Sequence, residues 1–344
     1  MKTGLFHLYP LPILVALAAL LIALAWSEPP VAPTHFGPPL SARSEEPLVP
    51  LPLPTALPDP RRVALGERLY HDARLSGDGT VSCASCHPLP HGTDGRARSI
   101  GVGGTPSLRN APTVLNAALN YSQNWDGRTA TLFEQVTGPL LNPQEMASSW
   151  TRIEAVLHAD RHYVEGFALA YAGRIERATI TDALVSYLRT LLTPNAPFDR
   201  YLRGERDAIS AEAREGYALF KSMGCASCHQ GAGIGGNLFQ RLGIVADYFA
   251  DHPQSAADLG RQHTTGREED RHVFRVPTLR NIAVTAPYLH DGSIPDLDQA
   301  VRTMARYQLG RRLSDQEARL LVSFLESLTG ELPSPPSPST AALP

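Results

Sequence analysis

Charge of one sign is scarce in this chain. Its 344 residues carry 31 basic and 34 acidic side chains, a formal net charge of −3. That excludes the strongly basic profile of a nucleic-acid binder and is too small to specify a protein partner. Cysteine is scarcer still. There are four, all inside two short motifs, so none is left for a disulfide. Methionine numbers four and tryptophan three, which limits the candidates for any role that needs a thioether or an indole. No alternating strand pattern of useful length appears, so the chain reads as helical and rich in loops. Apolar residues make up 43% and charged residues 19%, enough for a large core, which excludes wholesale disorder. At roughly 150 residues per domain the length suggests two domains.

Proline is abundant, with thirty in all, and eleven fall between Pro29 and Pro60. Such a stretch buries little surface and reads as an extended spacer. Before it, no residue from Thr3 to Ser27 is formally charged, and Ile13 to Trp26 is unbroken apolar sequence. Ala23-Leu24-Ala25 fits the small-x-small pattern of a cleavage site. The run is also long enough to cross a bilayer, which takes about 20 residues. Residues 1–25 therefore read as an exported signal peptide or as a retained anchor, with 8–26 as the tether. Residues 26–58 follow as a Pro-rich linker, and 331–344 as a disordered Pro/Ser-rich tail.

The four cysteines make Cys83-Ala84-Ser85-Cys86-His87 and Cys225-Ala226-Ser227-Cys228-His229. Cys-x-x-Cys-His is the attachment sequence of a c-type haem. Two thiols one turn apart each add to a vinyl group, and the adjacent imidazole then binds iron. A lone copy would also suit a redox dithiol or half a zinc site. Two copies behind an export signal point to two covalently bound haems, attached outside the cytoplasm. The repeat continues as Leu108-Arg109-Asn110 and Trp125-Asp126-Gly127-Arg128 in one half, and Leu279-Arg280-Asn281 and His290-Asp291-Gly292-Ser293 in the other. The halves divide near Thr193-Pro194-Asn195, where a helical pattern stops at a proline. Ser210 starts a helix leading to the second motif, Leu297–Leu309 is helical, and Ser314 with Glu317 forms a capping box.

The second axial ligand decides what a haem does: two strong ligands make a carrier, whereas an open face allows chemistry. Met304, in the Leu297–Leu309 segment, is the best partner for the haem on His229, against the plainer reading of core filler. Met223 is too close to Cys225. The first haem has no obvious methionine; Met146 as its ligand would close the open face. Glu145 instead offers a carboxylate to take a proton from the near oxygen of peroxide and return it to the departing one. Gln135 offers an amide to orient it. Trp125 is read either as a packing residue or as an electron path between the centres.

From about Pro58 to Gly330 the chain resembles the bacterial dihaem cytochrome c peroxidases. The matching stretches are Leu75 to Cys83, Arg109 to Asn116, Trp125 to Arg128, Pro194-Asn195 with Phe198 to Tyr201, Phe274 to Asn281, Thr285 to Tyr288 and Tyr307 to Gly310. The resemblance implies an all-α fold of two cytochrome c-like haem domains in tandem with long loops, preceded by the signal or anchor and the Pro-rich linker. Residues 59–193 would form the peroxidatic domain, with a low-potential haem on Cys83, Cys86 and His87. Residues 194–330 would form the electron-transfer domain, with a high-potential haem on Cys225, Cys228, His229 and Met304. Gln135 and Glu145 fall on the distal-pocket positions and Trp125 on the inter-haem position. Asn110, Thr285 and Pro287 fall on positions that bind a calcium ion between the domains. Hydrogen peroxide would be the substrate, a small cytochrome c or copper protein the donor, the periplasm the location, and a homodimer the assembly.

One position departs from the family. Many members carry a histidine in the loop after the first haem that blocks its iron at rest. Here that loop is Ser99-Ile100-Gly101-Val102-Gly103-Gly104, and Val102 takes the histidine's place. The first haem is therefore expected to be five-coordinate or water-bound when oxidised; His91 and His71 lie nearby in sequence and could substitute, against the plainer reading of each as a surface histidine or one that supports the site from behind its ligands. Two rival readings share the scaffold. One is an oxidase that modifies a partner protein, in which a tyrosine replaces the axial methionine, and Tyr307 keeps it in view. The other is a plain dihaem electron carrier.

Overall fold

Asp59 accepts a hydrogen bond from the Arg61 backbone and Pro60 supplies a helix-ready φ, so the first described helix, α1 (Pro60–His71), begins there. The computed structural model describes residues 46–52, 56–89 and 91–332. The signal or anchor expected at 1–25, most of the linker at 26–58, and all but two residues of the tail at 331–344 lie outside the described residues. Four more helices of ten residues or longer follow among the described residues of the first half: α2 (Leu132–Leu141), α3 (Trp150–Ala159), α4 (Arg161–Tyr171) and α5 (Arg177–Leu188). In the second half are α6 (Pro197–Leu202), α7 (Ala211–Ser222), α8 (Leu297–Leu309) and α9 (Asp315–Glu326). Ser210 caps α7, and the Ser314–Glu317 capping box opens α9, as their sequences anticipate.

Each half is built on one close helix crossing. In the first, α1 lies against α5, and a Cβ on Gly66 would fall 2.0 Å from the Ala183 carbonyl oxygen. In the second, α7 lies against α9, and a Cβ on Gly216 would fall 1.9 Å from the Leu320 carbonyl oxygen. Only glycine allows backbones that near. Around the first crossing Leu65, Leu69, Tyr70, Ile180 and Leu184 form a buried core. Around the second, the rings of Phe198, Tyr217 and Phe220 lie 5.0, 5.2 and 5.0 Å from that of Phe324. Burial of each such side chain stabilises by about 1.5–3 kcal/mol.

The all-α expectation needs one amendment. β1 (Phe239–Arg241) and β2 (Val273–Arg275) pair antiparallel, with Phe239 opposite Arg275. Both strands sit in the long loop between α7 and α8, and each has three residues. Runs that short carry no periodicity to read.

The internal repeat also has a different register from the one its Leu-Arg-Asn tripeptides suggest. Asn116 and Asn281 are the equivalent residues: each has φ 59° and each starts a single 3₁₀ turn. Both side chains donate to the Thr193 hydroxyl, at 2.9 and 2.8 Å. The matching segments are thus Ala111 to Asn116 and Val276 to Asn281. The two downstream hairpins agree, since Gln123 bridges Thr129 and Tyr288 bridges Ile294.

Part of the stretch read as spacer belongs to the second half. Leu48 and Leu51 are buried, and Leu48 pairs with Gly231 in a parallel bridge. The Leu51 amide donates to Asp199 at 2.9 Å. Asp199 also holds both terminal nitrogens of Arg280 at 2.9 Å, and neither side chain reaches solvent. Among the described residues no helix is long and apolar enough to cross a membrane.

Candidate haem sites

Each Cys-x-x-Cys-His motif forms a single helical turn whose geometry turns its histidine inward. The His87 amide bonds to the Cys83 carbonyl at 2.9 Å, and the His229 amide to the Cys225 carbonyl at 3.0 Å. Both imidazoles are half-buried among backbone carbonyls five residues on and at the equivalent prolines, Gly92 and Pro112 for His87, Ile234 and Pro277 for His229. His87 Nδ1 lies 3.0 Å from the Gly92 oxygen. At His229 no bond of standard geometry reaches Nδ1, so there the carbonyls act as nearby dipoles. Burial lowers the pKa of His87 and holds that of His229 down at about 4. Both rings are therefore neutral at ordinary pH, as a metal ligand must be.

The turns open into two neighbouring cavities. One, of about 360 Å³, is lined by Cys86, His87, Gln135, Glu145 and Trp125. The other, of about 250 Å³, is lined by Cys225, Cys228, His229, Met304 and Trp125. Cys83 heads the first turn and packs on the first core. All four thiols are unpaired, and burial pushes Cys83 up to about 12 and Cys225 to about 11. Each thiol pair stands with one adjacent histidine and no further cysteine in its half, short of the ligand set of a structural zinc site. Two cysteines and one neutral imidazole on each turn fit a haem covalently attached in each cavity.

The cavities differ in what else they offer. The second contains Met304, from α8, and Met223. The first has no methionine among its lining residues; Met146 is buried in the core behind it. Glu145 lies on the loop after α2, and its Oε1 accepts from the Asn142 amide at 2.7 Å. Burial raises its pKa, against smaller downward pulls from Asn142 and Arg128. The Val102 amide donates to the Glu145 carbonyl at 2.8 Å, and a Cβ on Gly101 would sit 2.1 Å from the Gln144 oxygen. The loop at Val102 is thereby pinned to the backbone of the acid's loop, and the Val102 side chain packs on the first core. His71 and His91 are exposed and line neither cavity.

Between the cavities, Trp125 donates from Nε1 to the Asn110 carbonyl at 2.9 Å. Asn110, Thr285 and Pro287 all line the second cavity, and the Asn110 amide nitrogen donates to the Arg96 carbonyl at 2.8 Å. Tyr307 does not reach either cavity; its hydroxyl donates to Asp251 at 2.7 Å.

Three residues escaped sequence reasoning. Arg275 is buried and lines both cavities, with Nε on the Asn124 carbonyl at 3.1 Å and no carboxylate partner among the described residues. Burial brings its pKa down to about 10, so it stays charged. His290 packs beside Trp125, and its Nε2 lies 2.6 Å from Asp258. His263, from the second half, stands on the rim of the first cavity. The sequence marks His290 only as a member of the repeat at 290–293 and Arg275 only within the stretch Phe274 to Asn281; their places at the cavities, like that of His263, come from long-range packing.

Comparison with known proteins accords with this geometry. Residues 60–207 match the family model described as Di-haem cytochrome c peroxidase, and 213–329 match that of Cytochrome c. The chain is 48% identical over 290 residues to cytochrome c peroxidase Ccp of Escherichia coli K12, covering 83% of this chain and 61% of that protein. It therefore spans about three-fifths of that relative's length. It is 44% identical over 271 residues to cytochrome c551 peroxidase of Nitrosomonas europaea, covering 78% of this chain and 80% of the relative. A solved MauG-like protein associated with microbial copper homeostasis superposes with a TM-score of 0.73 at 29% identity, over 86% of this chain and 96% of its own. With two cytochrome c-type domains and a haem-attachment motif in each, the chain belongs to the di-haem cytochrome c peroxidase family.

Proposed function

We propose that this enzyme reduces hydrogen peroxide to two waters in the periplasm, using two electrons delivered one at a time by a small cytochrome c or copper protein. The observation that carries this reading is the asymmetry of the cavities. One is lined by His229 and Met304; the other is lined by His87, Glu145 and Gln135 and by no methionine. A bound haem in the first cavity supplies the redox chemistry that breaks the O–O bond. The chain's own part there is proton management. Glu145 takes the proton from the near oxygen and hands it to the departing one, and its buried carboxyl is suited to both duties. Gln135 donates an amide hydrogen bond that orients the peroxide. Met304 and His229 hold the second haem as electron acceptor, and Trp125, on the wall of both cavities, lies on the path between them.

Asn110, Thr285 and Pro287, which all line the second cavity, are proposed to supply oxygen donors for a calcium ion. The export-type leader supports the periplasmic assignment. The protein-modifying reading is less well supported, because Tyr307 is engaged by Asp251 and lies outside the second cavity. Peroxide turnover with a ferrous cytochrome, compared between wild type and Glu145→Ala, tests the proposal. Loss of about 10²–10⁴-fold in kcat is expected; equal turnover would remove Glu145 from the mechanism.

A further inference from the structure

The outer wall of the second cavity carries an exposed apolar pair in an arginine-rich setting. Ile244 is 51% and Val245 62% exposed. Their loop is fixed directly over α8: the Gly243 and Ile244 amides both donate to Gln308 Oε1 at 3.0 Å, and the Val245 amide donates to the Tyr307 carbonyl at 3.1 Å. Gln308 itself lines the second cavity. The pair is thus separated from the haem site by one layer of side chains.

Arginines lie on both sides of this pair. The Arg241 carbonyl accepts from Gln308 Nε2 at 3.0 Å, so Arg241 borders the loop on one side. Arg311 and Arg312 follow Gly310, where an added Cβ would meet Val245 Cγ1 at 2.8 Å. Arg311 is near enough to the Cys225 thiol to act on it electrostatically. All three are exposed, and none makes an ion pair among the described residues. Of the neighbouring acids, Asp251 pairs with Arg306, whereas Glu317 and Asp247 accept from neutral donors and keep their charges, with Arg311 acting on Glu317 from a distance. Three guanidiniums against two carboxylates leave a local excess of positive charge that the whole-chain −3 hides.

We propose that Ile244 and Val245, flanked by Arg241, Arg311 and Arg312, form the docking surface for the electron donor, and that the donor is an acidic redox protein. The apolar pair would meet the donor's own exposed cofactor edge, and the three guanidiniums would meet its carboxylates. This rests on the donor-fed reading above, with one electron passing from a ferrous donor to the ferric second haem.

The test needs no peroxide, so it separates from that reading. Anaerobic stopped-flow mixing would follow reduction of the ferric holoenzyme by a mitochondrial-type cytochrome c, used native (basic) and with its lysines succinylated (acidic). The succinylated form should react faster, and its second-order rate should fall about tenfold or more between low and physiological salt. The variants Arg311→Glu with Arg312→Glu, and Val245→Asp, should each slow that reaction about tenfold while dithionite reduction stays unchanged. Faster reaction with the native form, or variant rates equal to wild type, would overturn the proposal. So would a change of sedimenting mass in the variants, which would assign the surface to a second copy of this chain.

Discussion

Trp125 and His290 hold corresponding places in the two halves of the chain, and their rings meet with centroids 6.4 Å apart and planes at 74°. The contact is cross-braced by backbone. The Asn110 amide donates to the His290 carbonyl, and the Arg275 amide to the Trp125 carbonyl, both at 2.8 Å. His290 stacks in turn on Phe274 at 4.2 Å. A duplicated unit has thus placed one aromatic from each copy at the seam between the cavities. Replacing Trp125 by Phe keeps an aromatic ring at the seam and removes the indole N–H. Electron passage between the haems should slow, while donor-driven reduction of the second haem stays at the wild-type rate. Rapid-mixing absorption spectroscopy at the two haems separates these steps.

Glu145 should set the acid limb of the pH profile. Its pKa is raised by burial, and as the proposed acceptor of the peroxide proton it would have to begin deprotonated. Activity should therefore fall as pH drops through a value above the ordinary glutamate range of about 4.3. In Glu145→Gln the limb should disappear together with most of the turnover. An acid limb identical in wild type and variant would assign it to another group.

The same shift has a consequence for stability. The folded state disfavours the charged Glu145, so the native protein holds its proton more tightly than the unfolded chain. Stability is then lost as pH rises from the unfolded glutamate value through the folded one. Glu145→Gln should raise the midpoint of thermal unfolding at neutral pH, and that advantage should vanish in acid below the ordinary glutamate range. Calorimetry of the two holoproteins across that span checks the sign.

Asp199 is a single residue with two structural duties, pairing with Arg280 and receiving the Leu51 amide. Asp199→Ala leaves a buried guanidinium without its counter-ion, a change that costs about 3–5 kcal/mol. Denaturant unfolding should register the loss. Limited proteolysis should cut near residues 46–52 in the variant and leave wild type intact there.

Gly66 and Gly216 give a paired test of the duplicated crossing. An alanine at either site must push a helix away from a carbonyl some 2 Å off. Each substitution should destabilise its own half by about 1–3 kcal/mol, read as a lowered unfolding midpoint with haem content measured alongside.

Much of this was legible in the residues themselves. The Cys-x-x-Cys-His turns, the helix bearing Met304 and the caps at Ser210 and Ser314 are local, and local chemistry writes itself into sequence spacing. The equivalence of Asn116 with Asn281 was not, because an identical tripeptide six residues away competed for the alignment and only backbone conformation decides between them. Arg275, His263 and the docking of Leu48 and Leu51 depend on partners scores to hundreds of residues distant, and no window along the chain contains both members.

Thr193 is nearly solvent-free and accepts from an asparagine of each half. One hydroxyl is therefore the common latch of both copies. Any swivel of the halves has to break at least one of these bonds inside a dry environment. The span between the two metal centres is in this way set like the gap of a spark plug, by a fixing that neither electrode owns.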